Sequence, residues 1–259
     1  MITKKTDEEI MVLREVGGIL ATILERLAAA ATPGVSTEHL NDLAMEMASE
    51  YGVEPVLYGY HPSFAPAPFP AAICTSVNDV VQHGIPLADE VLIDGDIINI
   101  DMSIGLKGLV VDSGLTVGVG EIDGKAQELI AVTKNALREA IKAAKPGNHI
   151  GDISHAIEKY VTSRGFGPVA ALCGHGVGYG VHEEPQIPNV GKAGSGPLIE
   201  VGHVYAIEPI VNEGSGEVIF DDEGDGYRVF SEDGSRSAHF EHTVLITAAG
   251  AEVLTVPPA

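Results

Sequence analysis

The sequence contains no tryptophan, only two cysteines and few basic residues. Cys74 and Cys173 lie far apart and form no CxxC pair, which excludes a zinc ribbon or a thioredoxin-type redox pair. With 15 Lys and Arg residues against 37 Asp and Glu residues, the formal net charge is −22. A chain this acidic repels phosphate backbones and anionic lipid, so we expect neither direct nucleic-acid binding nor a membrane partner.

Long apolar runs are also missing. The most apolar early stretch, residues 16–31, is interrupted by Glu25 and Arg26, so it does not read as a membrane span. The first residues contain no apolar run of signal-peptide length, and a reduced, cytoplasmic protein is the simplest interpretation. The 259 residues, 45% hydrophobic and 20% charged, are typical of a globular chain that can bury a full core.

Apolar spacing predicts helices and strands in an order that occurs twice. The first helix begins with a capping box formed by Thr6 and Glu9. Asp233-Gly234 predicts a tight hairpin between the last two strands. A proline-rich loop over residues 53–72 separates the first helices from the first strands. The predicted helices cover about residues 7–32, 36–51, 123–144 and 151–164, and the predicted strands lie near 97–104, 109–118, 204–212, 226–231 and 237–247.

The recurrence is visible in the residues themselves. The segment 31–36 resembles the segment 144–149 at an offset of 113, and the helices that follow end at Gly52 and Gly165, at the same offset. Such internal similarity indicates two related halves. We therefore predict a single catalytic domain over residues 1–259, with halves of about 1–120 and 121–259.

Two aspartates stand out in the predicted strands of the first half. A turn centred between Leu106 and Lys107 would place Asp101 directly opposite Asp112, with their Cβ atoms roughly 5 Å apart. Two carboxylates at that distance repel each other, so they must share a proton or bind a cation. The alternative from the same residues is a pair of solvated aspartates on an exposed sheet face.

The second half offers further ligands of the same kind. Glu208 and Glu241 each stand in an apolar, strand-like segment, and His175 lies among glycines that let the backbone approach closely. Four carboxylates and one imidazole, with no thiolate, form an oxygen-rich site that suits Mn, Fe(II) or Co(II) better than structural zinc. Four carboxylates also balance the charge of two divalent cations.

The ten histidines differ in the pattern around them. His83 and His182 are flanked by glycine or turn-like residues near the proposed ligands, so we regard both as candidates for a functional role. Apart from the candidate ligand His175, the other seven lack a supporting pattern and are expected at the surface or behind the site: His39, His61, His149, His155, His203, His239 and His242.

Five segments together resemble the methionine aminopeptidases of type I, in order and over nearly the whole chain. They are CTSVNDVVQHGIP from Cys74, DGDIINID ending at Asp101, CGHGVGYGVHEEP from Cys173, IEP around Glu208 and FEHT around Glu241. The resemblance implies the pita-bread fold, an α/β (α+β) fold with pseudo-twofold helix–helix–strand halves around a central antiparallel sheet.

The resemblance also implies the metal ligands. Asp101 would bind one metal ion, Asp112 and Glu241 would bridge two, and His175 with Glu208 would complete the second site. The cofactors implied are therefore two divalent metal ions, with Mn, Fe(II) and Co(II) as the candidates.

By the same resemblance, His83 would contact the scissile peptide and His182 the substrate carbonyl oxygen, while Glu208 would shuttle a proton. A metal-bridging hydroxide would attack that carbonyl. The activity implied is removal of the N-terminal methionine from nascent proteins and peptides with a small second residue. The family further implies a monomer, with a transient ribosome contact as a possible partner interaction.

The methionine pocket departs from the family pattern. Tyr60 and Cys74 keep their pocket positions, but Val181 stands where phenylalanine is common and Tyr227 where tryptophan is common. Residues 60–74 are longer than usual by several positions. We expect a reshaped pocket, which leaves two alternatives open: an aminopeptidase of different first-residue specificity, such as X-Pro, or a non-enzymatic pita-bread binding protein.

Overall fold

The computed structural model describes residues 2–63, 65–221 and 224–258. Its helices are α1 (Asp7–Ala30), α2 (Thr37–Tyr51), α3 (Gly124–Ala143) and α4 (Ile150–Thr162). The predicted capping box begins α1, since the Glu9 N–H donates to Thr6 Oγ1 and the Thr6 N–H donates to the Glu9 carboxylate. Within the described ranges, no helix is both long and apolar enough to cross a membrane.

The strands form antiparallel sheets around which the helices pack. In chain order they are β1 (Glu54–Pro55), β2 (Cys74–Val77), β3 (Val80–Gln82), β4 (Ile97–Leu106), β5 (Leu109–Gly118), β6 (Gly167–Pro168), β7 (Cys173–Gly176), β8 (Glu183–Pro188), β9 (Val204–Ile207), β10 (Ile210–Asn212), β11 (Val218–Phe220), β12 (Val229–Ser231), β13 (Ser237–His239), β14 (His242–Thr247) and β15 (Gly250–Val253). One main sheet has the order β1-β4-β2 with β5 on β4, and the other has the order β15-β14-β9-β7-β8.

Each main sheet carries one helix pair and one hydrophobic core. Helix α1 packs on β4 and β5 with α2 beside it, and α3 packs on α4 above the second half. The sheets meet at β5 and β14, where the Glu241 N–H donates to the Gly114 carbonyl and the Asp112 N–H donates to Thr243 Oγ1. This junction brings Asp112 of the first half next to Glu241 of the second.

The two helix pairs are attached through equivalent contacts. Ser36, the N-cap of α2, forms an isolated β-bridge with Val91, and His149, the N-cap of α4, forms one with Leu198. Positions 36 and 149 are again 113 apart, the offset read from the sequence. These contacts add a structural argument for the two related halves, whose boundary near residue 120 stays a prediction.

The register of β4 and β5 corrects the predicted pairing of the two aspartates. Lys107 and Gly108 both adopt positive φ angles, of 53° and 77°, so the turn lies on these two residues. Asp112 consequently faces Ser103, and Asp101 faces Gly114. The prediction of direct opposition was wrong, but a shift of two residues keeps both aspartates on the same face of the sheet.

The hairpin predicted at Asp233-Gly234 was also wrong. A turn exists there, with the Gly234 N–H donating to the Ser231 carbonyl, but the strands around it do not pair with each other. Strand β12 pairs with β11 and β3, whereas β13 pairs with β10. The turn predicted from the local sequence is present, but β12 and β13 each pair with strands that are distant in sequence and not with each other.

Gly17 of α1 allows this helix to lie directly on the C-terminal segment. A Cβ atom at Gly17 would lie 2.4 Å from the carbonyl oxygen of Leu254, whereas one at the adjacent Gly18 would meet nothing closer than 3.6 Å. We expect Gly17→Ala to lower the free energy of unfolding by roughly 1–3 kcal/mol through overpacking. Gly18→Ala is the matched control, and its better helix propensity should raise stability by up to about 1 kcal/mol. Urea unfolding of both variants measures the difference, and equal effects would contradict the packing explanation.

Candidate metal centre and substrate cavity

One cavity of about 300 Å³ brings together every site residue predicted from the sequence. It has a polar, closed end formed by the predicted ligands and an apolar part toward the proline-rich loop. The predicted residues that line it are Tyr60, Cys74, His83, Asp101, Asp112, His175, Val181, His182, Glu208, Tyr227 and Glu241. No lysine or arginine lines it in the part of the chain that the structure describes.

Asp101 and Asp112 project from the middle of β4 and β5 into the closed end. Their carboxyl groups lie close enough for each to affect the ionisation of the other. Burial, and then the charge of Asp112, raise the pKa of Asp101 well above its usual range. Burial also raises the pKa of Asp112, an effect that the nearby hydroxyl of Ser103 partly opposes.

Glu208 and Glu241 come from the breaks in two segments that were predicted as continuous strands. Glu208 follows β9 and precedes Pro209, whose missing N–H cannot continue a ladder, and Glu241 lies between β13 and β14. Both side chains are buried, and burial followed by the charge of Asp112 raises each pKa well above its usual range. Gln82 Nε2 donates to Glu208 Oε2 at 2.9 Å.

His175 offers an unprotonated nitrogen to these carboxylates. Its Nδ1 lies 3.0 Å from the backbone carbonyl of Gly176, and because a carbonyl only accepts, Nδ1 carries the proton. Nε2 then faces Glu208 Oε1 at 3.4 Å and Asp112 Oδ2 at 3.9 Å. Burial lowers the pKa of His175 to about 4, so the ring is neutral at neutral pH.

The donor set fits a divalent cation. One ligand atom each from Asp112, His175 and Glu241 lie within 4.8 Å of one another. Buried carboxylate oxygens of Asp101, Asp112 and Glu241 have no hydrogen-bond partner among the described residues. Hard oxygen ligands with one imidazole nitrogen suit the transition metals proposed from the sequence, and a cation would satisfy atoms that otherwise remain unpaired.

His182 stands exposed at the mouth of the cavity, where Tyr60 holds it. The Tyr60 hydroxyl lies 3.0 Å from His182 Nδ1, and the ring of His182 meets that of His175 at a centroid distance of 4.5 Å. If the hydroxyl donates to Nδ1, the proton of the neutral imidazole is on Nε2. Tyr60, predicted only as a pocket residue, therefore also contacts a candidate catalytic histidine.

His83 reaches the cavity through an unusual backbone. Its φ angle is 58°, and Gly84 follows so closely on β2 that a Cβ atom would lie 2.0 Å from the Thr75 carbonyl oxygen. The ring of His83 hydrogen-bonds to the backbone of Tyr227, and burial, together with the nearby His182, lowers its pKa to about 4. A neutral ring is thus held beside the apolar part of the cavity.

The apolar part also contains residues that the sequence did not predict, among them Leu57 and Phe69. Phe69 meets the ring of Tyr227 edge-on at 5.0 Å, and the Tyr227 hydroxyl donates to the Ala67 carbonyl at 2.7 Å. The long proline-rich segment is therefore tied to the pocket wall by a residue at which tryptophan is common in the family. Phe69 could have been noticed as an aromatic residue within a loop, but the sequence does not show whether its ring faces the cavity or the solvent.

His239 and Gln82 are the other neighbours of the ligands that were not singled out. His239 is fully buried, with Nε2 3.7 Å from Glu208 Oε2 and 4.0 Å from Glu241 Oε2. Burial, and then the neighbouring histidines His83 and His175, lower its pKa to about 3. The sequence does contain a clue to His239, because it lies two residues before Glu241. Residues two apart in an extended segment project from the same face, so the two side chains could be expected to lie close together.

Comparison with known proteins gives one consistent result. Residues 12–248 match metallopeptidase family M24. The chain is 43% identical to methionine aminopeptidase B of Synechocystis sp. over 94% of this chain and 88% of that protein. It is 42% identical to methionine aminopeptidase 1 of Bacillus subtilis over 98% and 99% of the two chains. The crystal structure of a methionine aminopeptidase from Thermotoga maritima, 41% identical, matches with a TM-score of 0.94 over 99% and 100% of the chains.

The repulsion among the buried carboxylates predicts metal-linked stability. We expect Mn(II) or Co(II) at about 100 times its dissociation constant to raise the free energy of unfolding of chelator-treated protein by about 2.7 kcal/mol. Asp112→Asn should abolish most of this gain and stabilise the metal-free form, because it removes one charge from the cluster. Asp123→Asn, at an exposed helix cap, is the control that keeps the metal effect. Denaturant unfolding with and without metal measures both, and an equal metal response in the two variants would contradict the assignment.

Proposed function

This chain belongs to metallopeptidase family M24, and from that premise we propose that it is a metal-dependent methionine aminopeptidase. We propose as its substrates nascent proteins and peptides that carry an N-terminal methionine before a small residue. The observation that carries the proposal is the cavity itself, in which a cluster of buried carboxylates closes the end of an apolar pocket.

The metal would be held by the ligands predicted from the sequence: Asp101, Asp112, His175, Glu208 and Glu241. We propose two divalent ions, supported by the charge balance of four carboxylates, with Mn, Fe(II) and Co(II) as candidates. Bound divalent cations polarise a peptide carbonyl and make water nucleophilic at neutral pH.

His182 would act at the substrate carbonyl. With Tyr60 donating to Nδ1, the Nε2–H of His182 is free to donate to the carbonyl oxygen as negative charge develops there. His83 would contact the leaving-group side, where its neutral ring is fixed by the backbone of Tyr227. Both histidines are therefore held in place by contacts with the pocket wall.

Glu208 would hold and pass on the proton. Its Oε2 accepts from Gln82, which leaves Oε1 on the side of His175. A carboxylate oxygen on that side can accept a proton from the attacking water and release it to the leaving amine.

Removal of only one residue follows from the closed end of the cavity. The free α-amine of the substrate would bind at the metal centre, and no lysine or arginine among the described lining residues competes for that position. The apolar wall of Leu57, Phe69, Cys74 and Val181 offers a site for an unbranched, flexible side chain such as methionine. We further propose that the protein acts in the cytoplasm as a monomer, with at most a transient ribosome contact given its net charge of −22.

A peptide panel tests this specificity against the X-Pro alternative. After chelation and re-addition of Mn(II), Co(II), Fe(II) or Zn(II), we expect metal-dependent release of methionine from Met-Ala-Ser. Release should be slower from Met-Lys-Ser and absent from Leu-Ala-Ser and Ala-Pro-Ser. Release of leucine, or of the residue before proline, would retain the metal-dependent mechanism but refute the methionine pocket. Asp112→Ala, measured in parallel, should lose activity, and a wild type that releases no residue from any peptide with any metal would favour a non-enzymatic binding protein.

The hydrogen bond between Tyr60 and His182 predicts a selective kinetic effect. Tyr60→Phe keeps the aromatic pocket wall but removes the hydroxyl, so we expect kcat to fall by about tenfold with KM nearly unchanged, as for the loss of about 1–1.5 kcal/mol. Tyr58→Phe is the matched control, because Tyr58 is 59% exposed and lies two residues away. A loss confined to KM would assign Tyr60 to substrate binding alone.

A further inference from the structure

His239 is a buried histidine in the site for which the proposed mechanism has no role. Its side chain is fully buried, and its Nε2 has no hydrogen-bond partner among the described residues. That nitrogen points at two of the carboxylates, Glu208 and Glu241, from distances of 3.7 Å and 4.0 Å. A buried polar atom without a partner requires an explanation.

The surroundings of His239 determine which ring nitrogen carries the proton. Asn99 Nδ2 donates to the backbone carbonyl of His239 at 3.1 Å, which turns Asn99 Oδ1 toward His239 Nδ1 at 3.4 Å. An amide oxygen only accepts, so Nδ1 carries the proton and Nε2 presents its lone pair. A lone pair directed at two carboxylates is unfavourable unless a proton or a cation lies between them, and the oxygen-rich donor set of the cavity favours a cation.

His175 shows the same arrangement at the same cluster. Its Nδ1 donates to the Gly176 carbonyl, and its Nε2 faces Glu208 and Asp112. An imidazole that donates one N–H to an oxygen of the protein and directs its other nitrogen at a cation is the usual arrangement of a metal-bound histidine.

We propose that His239 supplies a second imidazole nitrogen to the metal centre, on the side of Glu208 and Glu241. The inference rests on the proposed function, because it requires that the carboxylate cluster bind metal. It extends the ligand set predicted from the sequence, which contains one histidine.

The distances allow this role. An ion bound at about 2.1 Å to each of two ligand atoms can join atoms up to about 4.2 Å apart. Both contacts of His239 Nε2, at 3.7 Å and 4.0 Å, fall within this limit, as do those of His175 at 3.4 Å and 3.9 Å. Neither carboxylate needs to move out of the cavity to share an ion with His239.

The backbone leaves space for the ring. A Cβ atom at Gly114 would lie 3.1 Å from His239 Cε1 and 3.3 Å from Nδ1, so a larger residue there would press on the imidazole. The backbone of His239 is fixed as well, since its N–H donates to Thr116 Oγ1 at 2.9 Å and Thr116 Oγ1 donates to its carbonyl. The ring is therefore rigidly placed before any metal binds.

Nitrogen NMR of the wild-type chain tests the proposal without relying on activity. Metal-free protein labelled with ¹⁵N would be titrated with Zn(II), which is diamagnetic, and the imidazole nitrogens followed by long-range ¹H–¹⁵N correlation after backbone assignment. We expect the Nε2 signals of both His175 and His239 to move upfield to metal-bound positions. A shift of His175 Nε2 alone would overturn this inference and leave the metal centre intact, whereas no shift of either would refute the metal centre and the proposed function as well.

Metal affinity gives the second measurement. His239→Gln keeps a polar side chain but removes the imidazole, and we expect it to weaken Zn(II) binding by about 10- to 100-fold in competition with a chelator. His155→Gln, on the exposed face of α4, is the matched control and should bind as tightly as the wild type. Unchanged affinity of the His239 variant would overturn the proposal, and the NMR experiment decides the question if that variant does not fold.

Discussion

The main physical constraint on this protein is that four carboxylates share one cavity. No lysine or arginine is present among the described residues that line it. Burial raises the pKa of each, and Asp112 raises those of its three neighbours further. Such a cluster is unfavourable in the metal-free chain because buried like charges repel each other. This repulsion lowers the stability of the metal-free protein. A bound divalent cation would relieve it, so the stability of the fold is coupled to metal binding.

The cluster stays in place because both halves hold it through the backbone. Ser113 Oγ donates to the Glu241 carbonyl, and Thr243 Oγ1 both accepts from the Asp112 N–H and donates to its carbonyl. These contacts are independent of the carboxylate charges, so the ligands remain oriented when no metal is bound. A site organised in this way need not reorganise on metal binding, which favours tight and geometrically selective coordination.

The pocket wall and the two histidines proposed to contact substrate, His83 and His182, belong to one connected structure. Tyr60 contacts His182, and Tyr227 contacts His83 through its backbone and the proline-rich segment through its hydroxyl. Substitution in the wall can therefore change reaction rate as well as side-chain preference. This connection explains how a long segment distant from the metal ligands in sequence can influence the chemistry, and why specificity cannot be judged from the ligands alone.

The sequence by itself determined the elements whose signals are local: the capped helices, the strands around Asp101 and Asp112, and which carboxylates and histidine are candidates to bind metal. Tertiary structure alone decided the register between β4 and β5, the separation of β12 from β13, and the positions of Phe69 and His239. The physical reason is that helix caps and apolar spacing act within a few residues, whereas these features depend on distant contacts. His239 is fixed by Asn99, 140 positions earlier in the chain, and no local pattern reports a contact of that length.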